Sequence, residues 1–81
     1  MNRDELKHKL DELKVSSTEY SLDGELLPDR MVLYNSYNDW IVFYLDEGGN
    51  RNYEKIYDSE SEACNYIYKE FKSMMRMRFQ K

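Results

Sequence analysis

The apolar residues near the start of the chain repeat with a helical period. Leu6, Leu10 and Leu13 fall at i, i+4 and i+7, which places them on one face of a helix over residues 3–14. The residues between these leucines are mostly charged, and a charged face of this kind contacts water. The pattern therefore predicts an amphipathic helix, and Asn2 is its expected N-cap.

The middle of the chain is typical of strands separated by turns. Residues 18–22 predict a short extended segment, and three further segments rich in strand formers follow at 31–37, 40–45 and 52–57. Turn-forming residues interrupt them, and the strongest turn is Asp46-Glu47-Gly48-Gly49-Asn50. These segments predict an antiparallel meander of three or four strands.

A second, longer helix is predicted from Ser59 to the end of the chain. Ser59 and Glu62 have the spacing of a capping box, as do Asn2 and Glu5 at the first helix. The predicted buried stripe consists of Ala63, Ile67, Phe71 and Met74. The predicted cations near the C-terminal end, where the helix dipole favours positive charge, are Lys72, Arg76, Arg78 and Lys81.

The element order is helix, meander, helix, which predicts one α+β domain over residues 1–81 with both helices on one face of the sheet. The segment 40–45 is apolar on both faces, although a half-covered sheet normally alternates. Either the Trp40/Val42/Tyr44 side or the Ile41/Phe43/Leu45 side faces the core. The remaining side is covered by a helix or the Tyr20 segment of the same chain, by a partner, or by a second copy.

Charge is distributed unevenly along the sequence. Residues 19–62 carry eleven acidic and three basic residues, whereas residues 63–81 carry one acidic and five basic residues. An acidic middle repels phosphate and favours a basic protein surface as the partner, so we expect no nucleic-acid partner. No stretch approaches the roughly 20 apolar residues of a membrane span, so we expect no membrane partner either. Two alternatives remain open. The acidic loops only keep a small domain in solution, or the basic helix over 69–81 binds nucleic acid.

The sequence contains no set of residues that indicates catalysis. His8 is the single histidine and lies on the polar side of the first predicted helix, so it forms neither a metal site nor an acid–base relay. Cys64 is the single cysteine, which precludes an internal disulfide and fits a reducing compartment. We therefore expect a cytoplasmic binding protein that is not an enzyme and needs no cofactor or metal.

Several short motifs resemble a family of small bacterial immunity proteins from polymorphic toxin systems. They are the YSLDG run at 20–24 with Pro28-Asp29, the W-x-V-x-Y strand at 40–44, and the YDSE-x-EAC-x-Y run at 57–66. The similarity covers about residues 3–71. The chain differs from the family pattern by one extra residue before Pro28 and by apolar Ile41 and Phe43 at positions that the family keeps polar.

The resemblance implies a protein that binds and neutralises a cognate toxin domain. Many such toxins are nucleases with basic clefts, so an acidic surface with aromatic residues is expected to occlude the cleft. The residues expected to contact the toxin are Asp23, Glu25, Asp29, Tyr37, Asp39, Ile41, Phe43, Asp46 and Glu47. The alternative is a homo-oligomeric adaptor or structural protein, a homodimer through the outer strand face, in which the acids have no partner.

Overall fold

The first helix, α1, spans Arg3–Glu12 and begins with the expected cap. The Asn2 side chain accepts a hydrogen bond from the Glu5 backbone at 2.8 Å, and the Glu5 carboxylate accepts one from the Asn2 backbone at 3.3 Å. These two bonds confirm the predicted capping box. The helix ends earlier than predicted because Lys14 adopts a φ of 66°, and Val15 donates back to the Leu10 carbonyl. This is the hydrogen-bond pattern of a Schellman motif.

Four strands follow a short 3₁₀ turn at Ser17–Glu19. They are β1 (Tyr20–Ser21), β2 (Arg30–Ser36), β3 (Asp39–Leu45) and β4 (Arg51–Tyr57), and they lie in the sheet in that order. The β2–β3–β4 part is the predicted antiparallel meander. The two-residue β1 pairs parallel to β2, so the complete sheet is mixed.

The structure is a computed structural model that describes residues 1–79. Its last helix, α2, spans Glu60–Phe79. The Ser59 hydroxyl accepts a hydrogen bond from the Glu62 backbone at 3.1 Å, as a helix cap does. Met75 is buried where the sequence predicted Met74, which is only half-buried. The predicted terminal cation Lys81 lies outside the described residues. Neither α1 nor α2 is long and apolar enough to cross a membrane.

Both helices pack on one face of the sheet. The core between them contains Leu10 of α1, Ile67 and Phe71 of α2, and Leu33 and Val42 of the sheet, each at most 1% exposed. Trp40 also packs against this core, which decides that the Trp40/Val42/Tyr44 side faces the helices. We call the opposite side of the sheet the outer face.

A β-bulge interrupts the pairing of β3 with β4. Val42 pairs with Lys55 and Tyr44 with Asn52, so two residues of β4 lie opposite Phe43 alone. Tyr53, one of the two, has a φ of 58° and is 83% exposed. Such a bulge commonly has glycine at the positive-φ position. The bulge bends the free edge of the sheet and makes it a poorer template for pairing with another strand.

One hydroxyl in the helix-side core has no hydrogen-bond partner. Tyr20 is 6% exposed, its ring packs edge-on against Phe71 at 6.3 Å, and its hydroxyl is buried and unpaired within residues 1–79. A buried polar group without a partner destabilises the folded state by about 1–3 kcal/mol.

We expect Tyr20→Phe to raise the free energy of unfolding by about 1 kcal/mol, because it removes this hydroxyl and keeps the ring. Urea denaturation followed by circular dichroism measures the change. Tyr44→Phe is the matched control, since the Tyr44 hydroxyl does have a partner in Asp29 at 3.4 Å. A Tyr20→Phe variant that is less stable than the wild type contradicts the unpaired hydroxyl.

Candidate functional surface

A row of three apolar side chains crosses the outer face. Tyr34 of β2 pairs with Ile41 of β3, which pairs in turn with Ile56 of β4. Paired residues of neighbouring strands project from the same face, so the three form one continuous strip, which we call the outer row. Ile56 is 60% exposed and Tyr34 is 36% exposed.

The apolar residues next to the outer row are protected by the chain itself. Val32, Phe43 and Leu45 form a small cluster on this face, and Ile41 packs against it. The Arg51 guanidinium lies 4.4 Å from the centre of the Phe43 ring, a cation–π contact that helps to cover the ring. Phe43 is 0% exposed, which corrects its assignment as a contact residue, because a partner cannot reach it.

The β2–β3 hairpin places an aromatic and an acidic residue at one end of the outer face. Tyr37 lies in the two-residue turn and is 97% exposed. Asp39 is exposed at the start of β3, two residues before Ile41 and therefore on the same face. The Asn35 side chain holds the turn by donating to the Tyr37 and Asp39 carbonyls at 3.3 and 3.2 Å.

The loop between β1 and β2 passes beside Tyr34 and carries two further acids. Asp23 and Glu25 are exposed on either side of Gly24. A Cβ at Gly24 would lie 3.4 Å from the Tyr34 ring, so the loop runs directly beside that end of the row. The buried Ser21 hydroxyl donates to the Glu25 carbonyl at 2.8 Å and fixes the loop.

The other three predicted acids lie at the opposite end of β3. Asp29 accepts a hydrogen bond from the Tyr44 hydroxyl, and Asp46 and Glu47 begin the β3–β4 turn. A hydrogen bond from the Asn50 backbone, followed by one from the Asn52 side chain, holds the pKa of Asp46 below its ordinary value. Asp46 therefore stabilises its own turn, and this stabilisation is lost as the pH falls through its lowered pKa.

The fold thus divides the acids that the sequence grouped together. Asp39 and the loop that carries Asp23 and Glu25 lie next to the outer row. Asp29, Asp46 and Glu47 lie at the other end of β2 and β3, five or six residues from Tyr34 or Ile41, which is about 17–20 Å along a strand. Ile56 was not among the predicted contact residues. The pairing of its strand with β3 brings it beside Ile41, and the sequence alone does not give that register.

The single cysteine lies in an environment that disfavours a thiolate. Cys64 is 0% exposed, and its burial raises the pKa of its thiol to about 11. Burial is the largest cause and the neighbouring Glu60 carboxylate acts in the same direction. A thiol of this kind is mostly protonated and inaccessible at neutral pH. Residues 1–79 also contain no group of three or more His, Cys, Asp or Glu side chains placed to hold a metal ion.

Comparisons with models of protein families, with curated proteins and with solved structures found no match for this chain.

Tyr37 occupies a backbone conformation that is unfavourable for tyrosine. Its φ is 56°, a left-handed value that costs most non-glycine residues about 1–2 kcal/mol. Its exposed ring makes little compensating contact inside the chain. A strained, exposed aromatic residue beside an apolar strip is consistent with a role in contacting a partner.

We expect Tyr37→Asn to raise the free energy of unfolding by about 1 kcal/mol, because asparagine tolerates left-handed φ better than tyrosine. Thermal or urea denaturation measures the difference. Tyr37→Ala is the control, since it removes the ring but keeps a side chain that does not favour this conformation. Equal stability of the Asn and Ala variants would argue against backbone strain at this turn.

Proposed function

We propose that this protein is an immunity protein that binds a cognate bacterial toxin domain in the cytoplasm and neutralises it, and that it has no catalytic activity of its own. The observation that carries the proposal is the exposed outer row, with acids at two of its borders. The motifs shared with immunity proteins supply the class of partner. A nuclease domain with a basic cleft is the toxin that this surface suits best.

The outer face has the anatomy of a protein-binding surface. Protein interfaces commonly have an apolar centre with aromatic residues and a polar rim. Tyr34, Ile41 and Ile56 supply the centre, and Tyr37 adds a projecting ring at one end. Asp23, Glu25 and Asp39 form an acidic rim, which attracts a basic partner and speeds its association.

A second copy of the chain is the competing occupant of the same face. The outer rows of two copies could pack against each other, since both are apolar. Such a dimer would also bring two acidic rims together, and like charges across an interface oppose binding. We therefore favour a basic partner. Sedimentation at micromolar concentration is expected to give a monomer, and a stable dimer that Ile56→Arg dissociates would support the homo-oligomeric alternative.

Genomic context and binding together test the proposal. We expect a neighbouring gene to encode a large protein with a C-terminal toxin domain, and the purified domain to bind this chain and lose its activity. Absence of any such neighbour, or a toxin domain that remains active when saturated with this chain, contradicts the proposal.

Charge reversal separates the two groups of acids. Asp39→Lys and Glu47→Lys change the net charge equally, but only Asp39 borders the outer row. We expect Asp39→Lys to weaken toxin binding at least tenfold and Glu47→Lys less than threefold, measured by calorimetry. Equal effects of the two variants would indicate long-range attraction without direct contact at Asp39.

A further inference from the structure

A groove lies on the helix side of the sheet, away from the outer row. It has a volume of about 550 Å³ and is bounded by α2 on one side and by residues of β2, β3 and β4 on the other. A volume of this size is within the range of sites that bind ligands or peptide side chains. Its walls come from both helix and sheet, so the groove is a feature of the packed fold and not of one loop.

The floor of the groove is apolar. Met31 of β2, Tyr44 of β3, and Phe71 and Met74 of α2 contribute to it. Phe71 is buried, whereas the other three are only half-buried and leave surface accessible to a ligand. Tyr53, placed at the rim by the β4 bulge, is 83% exposed. A ligand that fits this floor has aliphatic or aromatic surface to bury.

The rim of the groove carries a net negative charge. Four carboxylates and two cations line it, and the cations are Lys55 and Arg78. Arg78 is paired with Glu19 at 2.7 Å, and the Lys55 ammonium lies 5.7 Å from the centre of the Tyr66 ring. Glu54 is paired in turn with Arg51 at 3.4 Å, so Asp29 and Glu70 are the lining carboxylates that form no ion pair within residues 1–79.

Two tyrosines that line the groove have raised pKa values, mainly because they are partly buried. Burial is the largest cause of the raised pKa of Tyr44, and the Asp29 carboxylate raises it further. The pKa of Tyr66 is also raised, first by burial and then by Glu70. Asp29, just before β2, and Glu70, on α2, both line the groove, so carboxylates from the sheet side and the helix side are available to a cation bound there.

We propose that this groove binds a short segment of a partner protein in which an arginine or lysine lies beside aliphatic side chains. The aliphatic side chains would cover the Met31 and Met74 surface, and the cation would lie between Asp29 and Glu70 with a tyrosine ring beside it. The inference goes beyond the proposed toxin interface, because the groove and the outer row lie on opposite faces of the sheet.

Methionine methyl NMR tests this site directly. The chain has five methionines, and of these Met31 and Met74 line the groove while Met77 is 70% exposed elsewhere on α2. The probe is a capped pentapeptide of alternating leucine and arginine. We expect its titration to shift the Met31 and Met74 methyl signals in a saturable way and to leave Met77 unchanged. The matched pentapeptide of leucine and glutamate should bind at least tenfold more weakly.

Variants that remove one negative charge but keep the size of the side chain provide a second test of the groove. Asp29→Asn and Glu70→Gln are each expected to weaken binding of the arginine pentapeptide at least threefold, whereas Glu62→Gln, on α2 but outside the groove, leaves it unchanged. No saturable shift up to millimolar peptide, equal binding of the two pentapeptides, or equal effects of all three variants would overturn the proposal. Loss of toxin binding in the Ile41→Arg variant with the groove titration retained distinguishes this site from the outer row.

Discussion

Phe71→Ala is expected to lower the free energy of unfolding by about 3–5 kcal/mol, the largest stability effect we anticipate for a single substitution in this chain. Phe71 is 1% exposed, and its ring packs edge-on against Tyr20 in the core that both helices share with the sheet. Truncation leaves a cavity at the point where α2 meets β1. A domain of this length is stable by only about 4–12 kcal/mol, so the variant is expected to be partly unfolded at 37 °C.

Urea denaturation followed by circular dichroism measures this loss, and Met77→Ala provides the control. Met77 is on the same helix but 70% exposed, and surface substitutions usually change stability by less than about 0.5 kcal/mol. Similar losses for the two variants would mean that α2 is not held to the sheet through Phe71.

Ile41→Arg is expected to weaken binding of the toxin domain at least 100-fold, the largest functional effect we anticipate. Ile41 is the central member of the outer row, with Tyr34 on one side and Ile56 on the other. Residues at the centre of an interface contribute most of its binding energy, and an arginine there also repels a basic partner. Ile41 is only half-buried in the free protein, so the folded structure should persist.

Calorimetry with the purified toxin domain measures the affinity, and thermal denaturation of the free variant checks its fold. Met77→Arg introduces the same charge at an exposed position on the helix side of the sheet. It should change the affinity less than threefold. An Ile41→Arg variant that is folded and binds as tightly as the wild type excludes the outer row as the centre of the interface.

The elements that were predicted from the sequence depend on local signals. The capping box of α1 uses two residues three positions apart, and the antiparallel meander depends on strands joined by short turns. The parallel pairing of β1 was not predicted, because it joins strands separated by the 22–29 loop. A two-residue strand also carries no period from which its direction can be inferred.

The bulge in β4 and the complete burial of Phe43 are two further features that the sequence did not predict. Glycine commonly occupies the left-handed position of such a bulge. Tyr53 occupies it here, so no glycine in the sequence indicates the bulge. The alternation of β3 places Phe43 on the opposite face from Trp40 and Val42, but it did not decide which face the helices cover. The complete burial of Phe43 also depends on the position of Arg51, which the register between two strands sets.

The candidate binding surfaces also differ in how far the sequence could predict them. Ile41 was named as a contact residue from the sequence, although the sequence left open which side of β3 faces the core. Ile56 becomes part of the same strip only through cross-strand pairing. The groove combines α2 with residues from three strands, so no local pattern predicts it. Likewise, the six acids grouped by the sequence occupy two ends of the sheet.

The chain offers a direct test of the outer row, because its three isoleucines are Ile41, Ile56 and Ile67. Two belong to the outer row, and Ile67 is 0% exposed in the helix-side core. We expect the methyl signals of Ile41 and Ile56 to shift when the toxin domain is added, with close contacts to toxin protons, and that of Ile67 to stay in place. Unchanged Ile41 and Ile56 signals in a saturated complex would contradict toxin binding through the outer face.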